Sequence, residues 1–255
     1  MYEQKRLGDH IEENKKLMLI AGPCSVEDES FVRLCIDLKA VGATHIRGGI
    51  YKPRTSPYSF QGIGDSGIPI LMEAKKEVGL PIVSEILDLE SAEKTVDVID
   101  IFQIGTRNMQ NFSLLRSIGK FGKPVLLKRG MAATIDEFIS ASDYLLEGGC
   151  RKIILCERGI RTFNNHVRTT LDVSIISAIK KNSDMKIVVD PSHSSGNRDY
   201  VQSHALAGIG AGCDGLIIEV HNNPKESITD PDQAITVEEF KTIVDKSNDI
   251  WKIVK

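Results

Sequence analysis

The sequence predicts an α/β fold: a single (β/α)8 TIM barrel with its active site at the C-terminal ends of the strands. Three observations carry this expectation. Eight short apolar runs recur along the 255 residues. The runs are continuous rather than alternating, which suits strands buried on both faces, as in parallel sheets. Each run also ends in residues capable of chemistry, and functional groups gathered at the C-terminal ends of eight parallel strands mark the working face of such a barrel. The length agrees, since one barrel of this kind takes roughly 250 residues. A single catalytic domain over 1–255 is therefore expected.

The first run, 17–25 (LMLIAGPCS), closes on Cys24. The second, 44–51 (THIRGGIY), carries Arg47 and opens into a Gly- and Pro-rich connection over 48–67 that holds Lys52 and Arg54. Connections longer than about 12–15 residues inside a compact domain are usually functional. The third and fourth runs are 80–87 (LPIVSEIL) and 99–106 (IDIFQIGT), the latter followed by Arg107. The fifth, 124–130 (PVLLKRG), ends in Lys128 and Arg129, and the sixth, 152–159 (KIILCERG), in Arg158. The seventh, 186–193 (KIVVDPSH), ends in His193. The eighth, 215–221 (GLIIEVH), contains Glu219, with Asp230 in the loop beyond.

Between the runs, apolar residues at three- and four-residue spacings predict helices over 27–41, 68–78, 89–96, 111–121, 134–147, 166–181, 199–212 and 237–250. Thr134 with Glu137, and Thr236 with Glu239, read as capping boxes, and Gly148-Gly149 as a stop signal. Residues 1–16 form a short N-terminal extension that either covers the bottom of the barrel or frays.

A net charge of −3 gives no argument for nucleic acid or an anionic membrane as a partner. No stretch reaches the ~20 apolar residues of a membrane span, and the charged start lacks a signal-peptide apolar region, so a cytoplasmic protein is expected. The five cysteines form no CxxC pair, and disulfides are not expected. Cys35, Cys150 and Cys213 read as small buried hydrophobes.

In a closed barrel the first strand lies beside the eighth, and the eighth beside the seventh. Cys24, His193, Glu219 and Asp230 can therefore converge, and a thiolate, an imidazole and two carboxylates make a divalent-metal site of mixed softness. Pattern alone leaves this open, because strand-end Cys and Glu are often structural and DPSHSS also reads as a polar turn. The same face carries Arg47, Lys52, Arg54, Arg107, Lys128 and Arg158. Six cations on adjacent strands point to an anionic ligand with several charges, the alternative being a set of surface ion pairs. Lys128 also suits a Schiff-base lysine, with Arg129 beside it to lower its pKa.

At these residues the chain resembles a known family. GPCSVE at 22–27, IRGGIYKPRTSPYSFQG at 46–62, IGTRNMQN at 104–111, LLKRGM at 126–131, CERGIRTF at 156–163, DPSHSSGNRD at 190–199 and EVHNNP at 219–224 are similar to 3-deoxy-D-arabino-heptulosonate 7-phosphate (DAHP) synthases. The likeness is to the short type I subfamily, which also contains the synthases of 3-deoxy-D-manno-octulosonate 8-phosphate (KDO8P). It runs from about residue 17 to 240.

The resemblance implies a transferase that condenses phosphoenolpyruvate with erythrose 4-phosphate and water, giving DAHP and phosphate. That is the first step of the shikimate pathway to chorismate and the aromatic amino acids. It implies one divalent metal ion (Mn, Fe, Co or Zn) on Cys24, His193, Glu219 and Asp230. Phosphoenolpyruvate would lie on Arg47, Arg107, Lys128 and Arg158, and the aldose phosphate on Lys52, Pro53, Arg54 and Thr55. Thr55 and Pro53 enter through the resemblance alone. Lys128, Cys24 and His193 are the residues expected to carry the chemistry.

KPRTS at 52–56 differs from the KANRSS-like run of KDO8P synthases, so erythrose 4-phosphate is the expected aldose and arabinose 5-phosphate the alternative. The family also implies a homotetramer. With about 16 residues before the first strand, no regulatory domain and no inhibition by aromatic amino acids are expected.

Overall fold

The computed structural model describes residues 16–254; apart from Lys16, the predicted N-terminal extension lies outside the described residues. Eight parallel strands close into a barrel in chain order. They are β1 (Met18–Gly22), β2 (His45–Arg47), β3 (Ile82–Ile86), β4 (Ile101–Ile104), β5 (Val125–Lys128), β6 (Ile153–Glu157), β7 (Lys186–Val189) and β8 (Gly215–Glu219). The ring closes between β1 and β8, whose register runs from Met18 opposite Gly215 to Gly22 opposite Glu219. Helices α1 (Ser30–Ala40), α2 (Ile68–Val78), α3 (Leu89–Thr95), α4 (Phe112–Gly119), α5 (Ile135–Gly148), α6 (Ser174–Asn182), α7 (Pro191–Ser195), α8 (Arg198–Gly210) and α9 (Val237–Val254) complete the fold.

Strand parity decides where each side chain goes, because successive residues of a strand face opposite sides. Met18, Ile20, Val83, Ile101, Leu126, Ile154, Cys156, Val188 and Ile217 form the cluster that fills the barrel interior. Their neighbours, such as Leu19, Phe102, Leu127, Leu155 and Ile218, face the helices and build the larger core. Two residues beyond an interior apolar residue, the same inward direction reaches the mouth. Those positions hold Glu85, Gln103, Lys128, Arg158, Asp190 and Glu219. Arg129 and Glu157 have the opposite parity and lie outside the barrel wall.

All eight predicted strands are present, shorter than their runs because each run includes the start of a functional loop. Both predicted capping boxes form: Thr134 N–H donates to Glu137 Oε2 at 2.8 Å, and Thr236 N–H to Glu239 Oε2 at 2.7 Å. Two helical expectations need correction. The helix expected over 166–181 begins only at Ser174, because the preceding segment has stronger tertiary partners. Ile160 pairs antiparallel with Thr170, and Arg168 N–H reaches the Ser195 carbonyl at 3.2 Å. The DPSHSS segment also forms a short helix, α7, rather than an open turn. Asp190 caps it and Pro191 occupies its first turn, where a missing N–H does no harm.

Helices α4 and α5 meet through glycine. A Cβ on Gly148 would lie 2.3 Å from the Arg116 carbonyl oxygen and 2.9 Å from Gly119 Cα, both backbone atoms that cannot rotate away. Gly148→Ala is therefore expected to force the two helices apart and destabilise the protein by about 1–3 kcal/mol. A thermal midpoint lowered by several degrees, with turnover at low temperature intact, is the expected readout.

Candidate active site

The barrel mouth brings together four side chains able to hold a metal ion. One ligand atom each from Cys24, His193, Glu219 and Asp230 lies within 4.8 Å of the other three. Cys24 follows β1, Glu219 ends β8, and their strands are paired at the closure. His193 sits in α7, and Asp230 in the loop after β8 at a left-handed φ of 52°.

The surroundings orient each donor. Gln233 Nε2 donates to Glu219 Oε2 at 2.9 Å, while the buried Oε1 has no hydrogen-bond donor. Ser192 Oγ accepts the Glu219 N–H at 3.0 Å and ties α7 to β8. Asp190 Oδ1 accepts the His193 N–H at 2.9 Å, and Oδ2 lies 2.8 Å from His193 Nδ1 and 2.6 Å from Lys128 Nζ. Burial works to raise Asp190, yet His193 and Lys128 hold its carboxyl well below the usual carboxylate range.

These donors fit a divalent cation. Burial pushes His193 below its ordinary value, which favours the neutral imidazole that ligates metals. Nδ1 stands 2.8 Å from Asp190 Oδ2, and Nε2, on the other side of the ring, stands 3.3 Å from Glu219 Oε1. Glu219 Oε1 faces the Arg47 guanidinium at 3.4 Å on one side and the His193 imidazole on the other, so a divalent cation seated beside it would be held by carboxylate and imidazole together. A carboxylate behind the imidazole is the usual outer support of a metal-bound histidine. Burial, with Glu219 beside it, pushes the Cys24 thiol up to about 12; a coordinated metal ion reverses that, since it deprotonates a bound thiol outright.

Beside this cradle lies a cavity of about 470 Å3 lined by Arg47, Lys52, Arg54, Arg107, Lys128, Arg158, Arg161 and Arg168, against two carboxylates, Glu85 and Asp230. Pro53 and Thr55 line it too. Arg47 and Arg158 are buried, and Arg47 Nη1 and Arg158 Nε have no hydrogen-bond partner. Unspent buried donors on a cation call for an anion. Burial works against the charge on Lys52, but Cys24 and Glu85 outweigh it. Lys52 Nζ lies 2.6 Å from Cys24 Sγ and so touches both the cavity and the cradle. Arg107 donates to Thr55 Oγ1 at 3.3 Å and to the Pro53 carbonyl at 3.4 Å, joining the loops after β2 and β4.

Every residue expected at the site thus reaches the mouth. Arg129 does not: its Nη1 lies 2.9 Å from both Glu157 Oε2 and Asp172 Oδ2, outside the barrel wall. The alternative of a Schiff-base Lys128 with Arg129 beside it loses support, since Arg129 points away from the mouth and Lys128 Nζ pairs with Asp190. Sequence reasoning passed over Glu85, Gln103, Asp190, Arg161, Arg168 and Gln233. The first three were available from parity, since each follows an interior apolar residue by two.

A closed parallel barrel with a four-donor metal cradle opening onto a polycationic cavity defines an enzyme of the metal-assisted class that acts on small, multiply charged anions. The chain belongs to the DAHP synthetase I family, whose sequence profile matches residues 5–255. It is 47% identical over 239 residues to the phospho-2-dehydro-3-deoxyheptonate aldolase of Thermotoga maritima, covering 93% of this chain and 71% of that protein. The crystal structure of a Thermotoga maritima DAHP synthase superimposes with a TM-score of 0.91 at 45% identity, covering 94% of this chain and 71% of that one. A truncated form of the Thermotoga maritima enzyme superimposes with a TM-score of 0.88 at 42% identity and is covered to 89%. The 2-dehydro-3-deoxyphosphooctonate aldolase of Geobacter sulfurreducens is more distant, 27% identical over 262 residues and covered to 95% of each chain.

Proposed function

We propose that this site condenses phosphoenolpyruvate with erythrose 4-phosphate and water to give DAHP and inorganic phosphate, the entry step of aromatic biosynthesis. The observation that carries the reading is the meeting of the metal cradle and the polycationic cavity at one barrel mouth. C3 of phosphoenolpyruvate joins the aldehyde carbon, a water oxygen adds at C2, and the C2–O bond to phosphate breaks. A divalent ion on Cys24, His193, Glu219 and Asp230 supplies Lewis acidity toward the aldehyde oxygen.

The rest falls to the chain itself. Arg47, Arg107, Lys128 and Arg158 bind the carboxylate and phosphate of phosphoenolpyruvate and fix C3 against the aldehyde, so that much of the rate comes from positioning and preorganised charge. Lys128 Nζ, steadied by Asp190, also stands ready to give a proton to a substrate oxygen or to orient the attacking water. Lys52, Pro53, Arg54 and Thr55 hold the aldose phosphate, and the Arg107 bonds to this loop couple the two substrate subsites.

Mn, Fe, Co and Zn all suit a set of one thiolate, one imidazole and two carboxylates. We read the barrel as one catalytic unit, cytoplasmic and assembled as a homotetramer. Among the described residues no helix is long and apolar enough to cross a membrane.

The test is phosphate release from phosphoenolpyruvate by metal-loaded protein, with erythrose 4-phosphate and arabinose 5-phosphate in parallel and an EDTA control. Chelator-sensitive turnover with the four-carbon sugar is expected. Preference for arabinose 5-phosphate would assign the site to the sugar-acid branch instead, and turnover indifferent to EDTA would remove the metal from the mechanism.

A further inference from the structure

The segment over 158–172 lines the barrel-mouth cavity with Arg158, Arg161 and Arg168, and buries Thr169 beside Arg158. Its two ends are drawn together outside the wall by Arg129, which pairs with Glu157 and Asp172 and donates from Nε to the Ala133 carbonyl at 3.1 Å. Thr169 is only 3% exposed, and polar groups surround its hydroxyl. The carbonyl oxygens of His193 and Ser194 lie 3.0 and 3.1 Å from Oγ1, and Arg158 Nη1 lies 3.4 Å from it. A hydroxyl has one hydrogen to give and lone pairs to accept with. The α7 carbonyls are nearer than the Arg158 carbonyl at 3.4 Å, so the hydrogen goes to α7 and a lone pair is left for the guanidinium.

The local backbone is built for this approach. Gly159 adopts a φ of +90°, and a Cβ there would stand 2.4 Å from Thr169 Oγ1. Glu157 Oε1 accepts the Gly159 N–H at 2.6 Å and holds that turn. Arg158 has little else to orient it: Nη1 also reaches the Gly159 carbonyl at 3.3 Å, and Nε has no partner. Among the described residues Thr169 offers the guanidinium its side-chain hydrogen-bond acceptor. The acceptor is itself anchored to the helix that presents His193.

We propose that Thr169 is a positioning residue: its hydroxyl fixes the Arg158 guanidinium against α7, so that the anion clamp and the His193 metal ligand keep one separation. The assignment rests on the reading of the cavity as the phosphoenolpyruvate site. Thr169 touches neither substrate nor metal and acts through Arg158. Valine replaces the hydroxyl with a methyl group of similar bulk, and serine keeps the hydroxyl.

The experiment is titration of the Mn-loaded protein with phosphoenolpyruvate, with steady-state kinetics alongside. Thr169→Val is expected to weaken phosphoenolpyruvate binding about 10- to 100-fold, the loss that follows removal of a hydrogen bond to a charged group. KM for erythrose 4-phosphate should stay within about twofold, because that subsite lies on the β2 loop. Thr169→Ser should restore most of the affinity, and in an Arg158→Lys background Thr169→Val should add little, as expected for residues acting through one contact. Thr169→Ala, which leaves space rather than adding a methyl group, should reproduce the weakening should the valine variant fold poorly. Unchanged affinity in the valine and alanine variants, or no recovery with serine, overturns the positioning role and leaves the proposed reaction standing. If the unaltered protein does not bind phosphoenolpyruvate at all, the reading of the cavity falls and the role of Thr169 with it.

Discussion

Cys24→Ala is expected to lower DAHP formation by about 1,000-fold or more and to strip the protein of bound metal. The thiolate is one of four donors that meet within 4.8 Å, and the other three are an imidazole and two carboxylates. Removing it takes away the soft donor that favours Mn, Fe, Co or Zn over Mg or Ca. Lewis-acid help of several kcal/mol is at stake, and each 1.36 kcal/mol is a factor of ten. The substitution also deprives Lys52 of its partner at 2.6 Å, so the aldose subsite loosens as well. Metal content by plasma emission and phosphate release, measured on one preparation, decide the matter. Retention of both would show that the cradle is structural.

Lys128→Met is expected to lower turnover by about 100- to 10,000-fold while the protein still folds, the range assigned to a positioned proton-transfer group. Methionine matches the length of the lysine stem but carries no charge. Asp190 keeps its contacts with His193 when Nζ is lost, which limits the damage to the metal ligand. Stability should nevertheless fall, since breaking a buried ion pair on one side costs about 3–5 kcal/mol. The two effects separate in the measurement: a melting curve reports the broken pair, and turnover well below the melting transition reports the chemistry. Borohydride with substrate present should leave no adduct on Lys128 in the unaltered protein. Near-normal turnover of the methionine variant would end any chemical role for this lysine.

Much of the site is visible in the sequence because a barrel turns order along the chain into adjacency. Once eight apolar runs are read as a closed ring, Cys24 must neighbour Glu219, and both must lie close to His193. The paired register of β1 and β8 bears this out. Parity then sorts Lys128 inward and Arg129 outward. Adjacency in sequence alone sets Arg129 beside Lys128, whereas its guanidinium pairs with Glu157 and Asp172 outside the wall.

What stayed hidden depends on tertiary partners. Asp190 reads locally as a helix cap, and its second oxygen takes on Lys128 only because β5 and β7 flank β6 and turn these two side chains toward the same side of the mouth. The start of α6 was misplaced because the apolar spacing of 166–181 is helical. The backbone before Ser174 answers instead to Ile160, Ser195 and Glu157. Thr55 carries no signal of its own, and its part emerges from the bond it accepts from Arg107.

The seam between β1 and β8 also sets an order of events during synthesis. Cys24 is made with the first strand, whereas Glu219 and Asp230 follow only with the final strand and the loop after it. Until β8 slots in beside β1, the growing polypeptide holds a buried-type thiol without its companions, and no affinity for the ion worth the name. Metal capture is thereby postponed to ring closure. An ion bound there would then rivet the earliest strand to the latest, so that any opening of the seam would have to break coordinate bonds as well as the β1–β8 ladder.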